Sequence, residues 1–444
     1  MLYLTFSAFN HVFVKIKQSW INMNKKENKL NRILIVKLND LLKEENCIII
    51  EGPKWCGKTF VGHETTKSQY YVKGDGTNTF YELNLEEPNP IFDGPMPRLI
   101  DEWQIVPQIL DQCRTRVDQI DKDYQFVITG STHSGYDRVI HSGAGRFCWL
   151  MMYTMSFCEL TNIEQQIKLE DLFENKFQAK KSLENIYWII QQLIQGGWPE
   201  PIAKKVSSNR KIKNYIQSIK NQAKDQKLTL RAEAIIPILS SIARLNASQI
   251  NLNTLKQDLP FNLDERTIQS HLEYFYDLYL IHHLQIWPQA FKIRSKERIR
   301  TKPKIYLCDP SIGLNLLNVS NYEQAMNDLN TLGIYFENQV IKDLMAYAQI
   351  LDGQLYFYRD ADGLEIDAIL QLANGKWAAI EIKLGDQAEV IEQAAKVLNL
   401  FAKRASNNLN PNQQPTFLMI ITGGTYAYQR DDGIYVIPHT CLRP

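Results

Sequence analysis

Three things are scarce in this 444-residue chain, and each scarcity closes off a class of protein. Net charge is nearly absent: 50 lysines and arginines against 49 acids leave a formal +1, so no global field draws the chain to nucleic acid or membrane, and any such affinity has to be local. Paired cysteines are absent. The seven thiols (Cys47, Cys56, Cys113, Cys148, Cys158, Cys308 and Cys441) contain no C-x-x-C, which argues against a disulfide frame or a zinc site and fits a cytoplasmic protein with reduced thiols. Long hydrophobic runs are absent as well. Leu2 to Val14 is apolar and aromatic but too short to span a bilayer, and it lacks the basic lead and small-residue cleavage site of a secretory signal. No membrane partner is expected, and residues 1–30 are an amino-terminal arm, unless Met23 is the true start. What is present is globular: 44% of residues are hydrophobic, and the length calls for about two to four domains.

The most informative segment is Gly52-Pro53-Lys54-Trp55-Cys56-Gly57-Lys58-Thr59, which fits G-x-x-x-x-G-K-[ST] and follows the apolar run Cys47-Ile48-Ile49-Ile50. Glycines at both ends let the backbone curl so that its N–H groups form an anion nest. Lys58 supplies a point charge for the β- and γ-phosphates, and Thr59 a hydroxyl for Mg²⁺. Asn31 to Glu45 ahead of it reads as an amphipathic helix with Ile33, Leu34, Val36, Leu38, Leu41 and Leu42 on a broad apolar face. Leu83 and Leu85 alternate with polar neighbours as a short strand would.

Downstream, Arg98-Leu99-Ile100-Asp101-Glu102 is an apolar strand ending in two acids. Asp101 is placed to hold Mg²⁺ and Glu102 to polarise the attacking water. Phe126 to Ser131 is another strand ending in polar residues, with Thr129 or Ser131 placed to sense a γ-phosphate. Strands alternating with helices in this way predict a parallel sheet with its ligand at the carboxyl ends. Arg146, behind the glycine turn Ser142-Gly143-Ala144-Gly145, is the candidate arginine finger, acting in its own chain or in a neighbouring copy, or else a plain surface arginine.

Residues 156–230 carry helical periodicity broken by Gly196-Gly197-Trp198-Pro199-Glu200-Pro201, and read as a helical lid. Residues 231–304 read as a winged helix. Ile235, Ile236, Ile238, Leu239 and Ile242 line one helix, Leu252 and Leu255 a second, and Asp264 caps a third that turns Ile268, Leu272, Phe275 and Tyr276 inward and Arg266, Thr267 and Ser270 outward. Every second residue from Lys292 to Lys304 is basic, a comb with teeth about 7 Å apart if extended, either a match to a DNA backbone or a solvated wing.

Residues 305–444 hold a second constellation. Asp367, then Glu381 and Lys383 two residues apart on one strand face, give Asp-x13-Glu-x-Lys. Asp367 and Glu381 are candidate Mg²⁺ ligands, joined by Glu337 from an earlier helix, and Lys383 is the candidate for activating water against a phosphodiester. The set is either a working nuclease-type site or a degenerate relic.

These motifs together resemble a widespread bacterial and archaeal family of AAA-type ATPases with a nuclease-like carboxyl-terminal domain. The resemblance rests on the 52–59 loop, Leu99-Ile100-Asp101-Glu102-Trp103-Gln104, Ile128-Thr129-Gly130-Ser131, the 142–146 tract with Met155-Ser156-Phe157, and Gly196 to Glu200. It continues in Lys304 to Asp309, Glu365-Ile366-Asp367 and Glu381-Ile382-Lys383. It implies an α/β multidomain chain: an AAA-type P-loop core over residues 31–155, the lid, the winged helix and a restriction-endonuclease-like tail. It also implies ATP in preference to GTP. One intact site of each kind on one chain gives the first functional reading, a Mg²⁺-dependent ATPase whose nucleotide state controls DNA binding or cleavage by the tail. The other reading is a nucleotide-driven assembly switch, with homo-oligomers, whose tail only binds a partner.

Overall fold

The computed structural model describes residues 31–72, 82–83, 86, 88–119, 124–131, 145–161, 164, 166–225, 230–288, 301–408 and 414–444. Its first layer is a five-stranded sheet of β1 (Cys47–Glu51), β2 (Ser68–Tyr71), β3 (Arg98–Asp101), β4 (Phe126–Thr129) and β5 (Cys148–Met151) in the order β2-β3-β4-β1-β5. All four pairings are parallel. Cover on both faces of the sheet explains why Cys47 to Ile50 of β1 are all apolar. Cys47 and Ile49 face one cluster with Ile109, Leu110 and Cys113 of the helix Gln108–Val117. Ile48 and Ile50 face the opposite cluster with Leu34, Leu38, Phe60 and Val61 of the helices Leu34–Leu41 and Lys58–Thr65. The first helix is narrower than its apolar spacing suggests: Leu34 and Leu38 are buried, whereas Val36 is exposed. The strand expected around Leu83 is replaced by a helical turn at Glu82 and Leu83, and Leu85 lies outside the described residues.

The second layer is a nine-stranded mixed sheet. Its members are β7 (Lys180–Lys181), β8 (Ile281–Ile286), β9 (Lys304–Leu307), β10 (Gly353–Arg359), β11 (Glu365–Leu372), β12 (Trp377–Lys383), β13 (Phe417–Thr422), β14 (Tyr426–Gln429) and β15 (Tyr435–Pro438). They run in the order β7-β14-β15-β13-β12-β11-β10-β8-β9. The long helix Leu329–Ile350 covers one face through Phe336, Val340 and Leu344, which pack with Ala368, Leu370 and Ile380. Helix Ala388–Asn408 covers the other through Ile391, Leu398 and Phe401 against Ile366, Ile369 and Ile420.

Two expected boundaries fall inside continuous structure. Residues 156–230 do contain helices, but the short strand β6 (Ile167–Lys168) pairs with β16 (Leu442–Arg443), and β7 pairs with β14, so this segment is sewn to the carboxyl terminus. The expected break between residues 304 and 305 is bridged too. Helices Ile235–Arg244, Leu252–Asp258 and Glu265–Asp277 precede the antiparallel pair β8 and β9, and β8 then pairs in parallel with β10. The apolar residues Ile281, Leu284 and Ile286 explain this, because burying them leaves a backbone edge that β10 satisfies. Among the described residues no helix is long and apolar enough to cross a membrane.

Candidate nucleotide site and a carboxyl-terminal acid cluster

The loop between β1 and the helix Lys58–Thr65 has the left-handed backbone that its glycines permit, with φ of 145° at Gly52 and 105° at Gly57. Gly52 is fixed sterically as well, since a Cβ there would stand 2.2 Å from the Met152 carbonyl oxygen. Pro53 and Cys56 are buried, while Lys54 and Trp55 are exposed. The Trp55 ring leans on Tyr215 at 5.1 Å between centroids. Lys58 is buried and folds back, its Nζ donating to the carbonyls of Gly52 at 2.8 Å and Pro53 at 2.9 Å.

The sheet order puts β4 between the loop strand and the acidic strand, and this brings three chain positions together. Thr59 donates its hydroxyl to the Asp101 carboxylate, 3.1 Å from Oδ1 and 3.0 Å from Oδ2. Thr129, at the end of β4, donates to the same Oδ1. A hydroxyl and a carboxylate converging beside an anion nest form an all-oxygen donor set that suits Mg²⁺. Glu102 follows with φ of 65°, and its Oε2 accepts from Gln104 Nε2 and, at 3.3 Å, from Ser131 Oγ. Of the two alternative candidates for sensing a γ-phosphate, Thr129 bonds Asp101 and Ser131 bonds Glu102.

Arg146 does not join this site in its own chain. It precedes β5, and because all five strands are parallel it lies at the opposite edge of the sheet from the loop, where Nε meets Asp118 Oδ1 at 2.5 Å. The sequence reading also missed Arg32, a buried residue that donates to the Cys56 carbonyl from outside the loop. No motif marks it.

At the far sheet, Lys383 Nζ lies between two acids, 3.1 Å from Asp367 Oδ2 and 2.8 Å from Glu381 Oε2, and Asp367 Oδ2 also accepts the Ile382 N–H at 2.8 Å. Glu337 is adjacent and accepts from the Tyr306 hydroxyl at 2.7 Å. Lys304, expected as the last tooth of the basic comb, is buried instead, with Nζ 2.5 Å from Glu365 Oε1 and 3.6 Å from Glu337 Oε1. Its antiparallel register opposite Leu284 turns it inward. Lys302 is exposed, and comb positions 292–300 lie outside the described residues. Burial and the Asp367 charge push Glu337 up to about 7 against the opposing pull of Lys304. The same two causes push Glu381 up to about 8 against Lys383. Burial would lower both lysines, but the surrounding carboxylates raise them instead. The expected metal role for Glu337, Asp367 and Glu381 meets a plain geometric objection. The ammonium of Lys383 stands between Asp367 and Glu381, and among the described residues no three His, Cys, Asp or Glu side chains are grouped to hold a metal ion.

An all-parallel sheet whose first strand feeds a glycine-bounded loop, with hydroxyl and carboxylate closing on it, defines a P-loop nucleotide-binding domain. Residues 44–161 match the family described as AAA domain. Residues 187–323 and 332–442 match two domains of unknown function, DUF8612 and DUF4143. No curated protein sequence matches the chain. Among solved structures, the Walker-type ATPase PABY2304 of Pyrococcus abyssi is similar at 13% identity and a TM-score of 0.38, over 64% of this chain and 94% of that one. The Holliday junction branch migration motor RuvB of Thermotoga maritima is similar at 15% identity and a TM-score of 0.23, over 57% and 89%. A DNA polymerase III gamma subunit-related protein of Thermotoga maritima is similar at 11% identity and 0.20, over 70% and 84%. These likenesses are too loose to carry an argument about this chain.

Proposed function

We propose that the chain binds ATP with Mg²⁺ at the 52–59 loop and hydrolyses it, and that nucleotide occupancy sets the state of a carboxyl-terminal region that engages DNA. The observation that carries the first half is the convergence of Thr59 and Thr129 on Asp101 beside the loop. The loop amides and Lys58 bind phosphate oxygens, which requires the Lys58 ammonium to exchange its two carbonyl partners for them. Thr59 and Asp101 would hold the metal, which would supply charge neutralisation at the phosphates. Glu102 orients the water and takes its proton, with Gln104 and Ser131 fixing the carboxylate.

The second half is supported by one helix touching both regions. Leu329–Ile350 carries Glu337 in the acid cluster, and its Lys342 donates to the Met155 carbonyl at 2.9 Å in the segment that leaves β5. The helices Ile235–Arg244 to Glu265–Asp277 with β8 and β9 are read as a winged helix, Arg266 is proposed to meet DNA, and the tail is read as nuclease-like.

The position of Lys383 between Asp367 and Glu381 favours a second reading of the tail as a non-catalytic binding module in a nucleotide-driven switch. In either reading Lys58→Ala abolishes nucleotide binding, and normal ATP affinity in that variant would sink the proposal. DNA cleavage with Mg²⁺, with and without ATP, separates the two. Cleavage that disappears in Asp367→Ala supports an active tail, and none by folded, ATP-binding protein supports the switch.

A further inference from the structure

Arg32 lies outside the matched AAA segment, yet each of its three guanidinium nitrogens is committed next to the phosphate loop. Nη1 donates to the Cys56 carbonyl at 2.5 Å, Nη2 to the Tyr153 carbonyl at 2.8 Å, and Nε to Glu159 Oε1 at 2.9 Å. The side chain is 4% exposed and that of Glu159 2%. Glu159 is itself fixed, with Oε1 accepting the Ile33 N–H and Oε2 the Ser156 N–H, both at 2.8 Å. A Cβ on Gly57 would lie 3.0 Å from Arg32 Nη1, so the guanidinium sits against the outside of the loop.

The Cys56 carbonyl and the Gly57 N–H belong to one peptide unit. A charged donor on the carbonyl polarises that unit and makes its N–H a stronger donor on the other side. We infer that Arg32 is a positioning residue for nucleotide phosphate: it fixes and polarises the Cys56–Gly57 peptide so that Gly57 N–H is aimed and strengthened toward a phosphate oxygen, with Glu159 holding the guanidinium in place. The pair is internally neutral, so the effect comes through the peptide dipole and not through added net charge. A fork of fixed N–H directions is needed to serve two carbonyls and a carboxylate at once, which a lysine cannot do. The inference rests on the reading of the 52–59 loop as a phosphate site.

The test uses the full chain and isothermal titration with inorganic pyrophosphate and with ADP. The variants are Arg32→Lys, which keeps the charge and loses the fork, and the double variant Arg32→Ala with Glu159→Gln, which leaves no buried lone charge. Thermal midpoint and the folded fraction are measured on the same samples. In selectively glycine-labelled protein, the Gly57 amide resonance reports the polarisation directly. The expected result is tenfold or greater weakening of both ligands in each variant, at an unchanged folded fraction, with the Gly57 amide proton shifted upfield. Affinity within twofold of the parent, or a fall only in proportion to the folded fraction with Gly57 unmoved, would overturn it. If the parent chain binds neither ligand, the phosphate-loop reading itself fails, a different outcome from a parent that binds and variants that bind equally.

Discussion

The side-chain amide of Gln349 hydrogen-bonds the backbone of Met151 in both directions, accepting from its N–H at 2.8 Å and donating to its carbonyl at 2.9 Å. It does for the edge of β5 what a neighbouring strand would do. Met152, the next residue, presses its carbonyl on Gly52 of the phosphate loop. A helix rooted in the far sheet therefore completes the edge of the nucleotide sheet, and its Lys342 and Asp343 grip the chain again at the Met155 carbonyl and the Phe157 N–H.

Gln349→Ala removes both partners from Met151 and is expected to cost about 1–3 kcal/mol, read from the denaturant midpoint. If this contact transmits nucleotide occupancy, ATP slows amide exchange in the helix Leu329–Ile350 of the parent chain and does so much less in the variant. Equal slowing in both would remove Gln349 from the coupling.

Glu102→Gln should separate binding from turnover. The amide keeps a partner in Ser131 but cannot take a proton, so ATP affinity stays within a few-fold while phosphate release drops by about 10² or more. Titration and a phosphate-release assay on the same preparation decide this. Retained turnover would assign the base to another group.

Gly52→Ala places a methyl 2.2 Å from the Met152 carbonyl oxygen at a φ of 145°, which an L-residue rarely adopts. The expected outcome is loss of ATP binding together with more than about 1 kcal/mol of stability. Gly333→Ala is the contrasting substitution. Gly333 lies inside the helix Leu329–Ile350 with open space around its Cβ direction, so alanine should stabilise by up to about 1 kcal/mol. Equal effects at the two positions would refute the steric account.

What was legible in the sequence followed the range of the forces involved. The run Cys47 to Ile50 and its glycine-bounded loop are local, and periodicity and turn chemistry specify them without help from the rest of the chain. Asp101 was legible for the same reason, as the acid closing an apolar strand. Lys304 was not. Alternation says that the basic teeth share a face, but only Glu337 and Glu365, supplied by distant elements, make that face the interior at its last tooth. Arg32 left no local trace because its three acceptors come from the loop, from Tyr153 and from Glu159. The two-residue strands β6 and β7 are too short to carry a period, so the stitching of residues 156–230 to the carboxyl terminus emerged only in three dimensions.

The acid cluster carries a prediction about pH. Burial and Asp367 raise Glu337 to about 7 and Glu381 to about 8, both above the ordinary carboxyl value of 4.5 that the unfolded chain retains. Between these values the folded chain holds more protons than the unfolded one, so stability falls as pH rises. The stabilisation is fully present below about 4.5 and is lost as pH climbs through about 7 to 8. Glu381→Gln removes one of the two protonation events and keeps an amide oxygen for Lys383, so the urea midpoint should decline less between pH 5 and pH 8 than in the parent. A parent midpoint that rises across this interval while the variant tracks it would mean that the lysines Lys304 and Lys383 already neutralise the cluster, leaving both acids ionised at neutral pH.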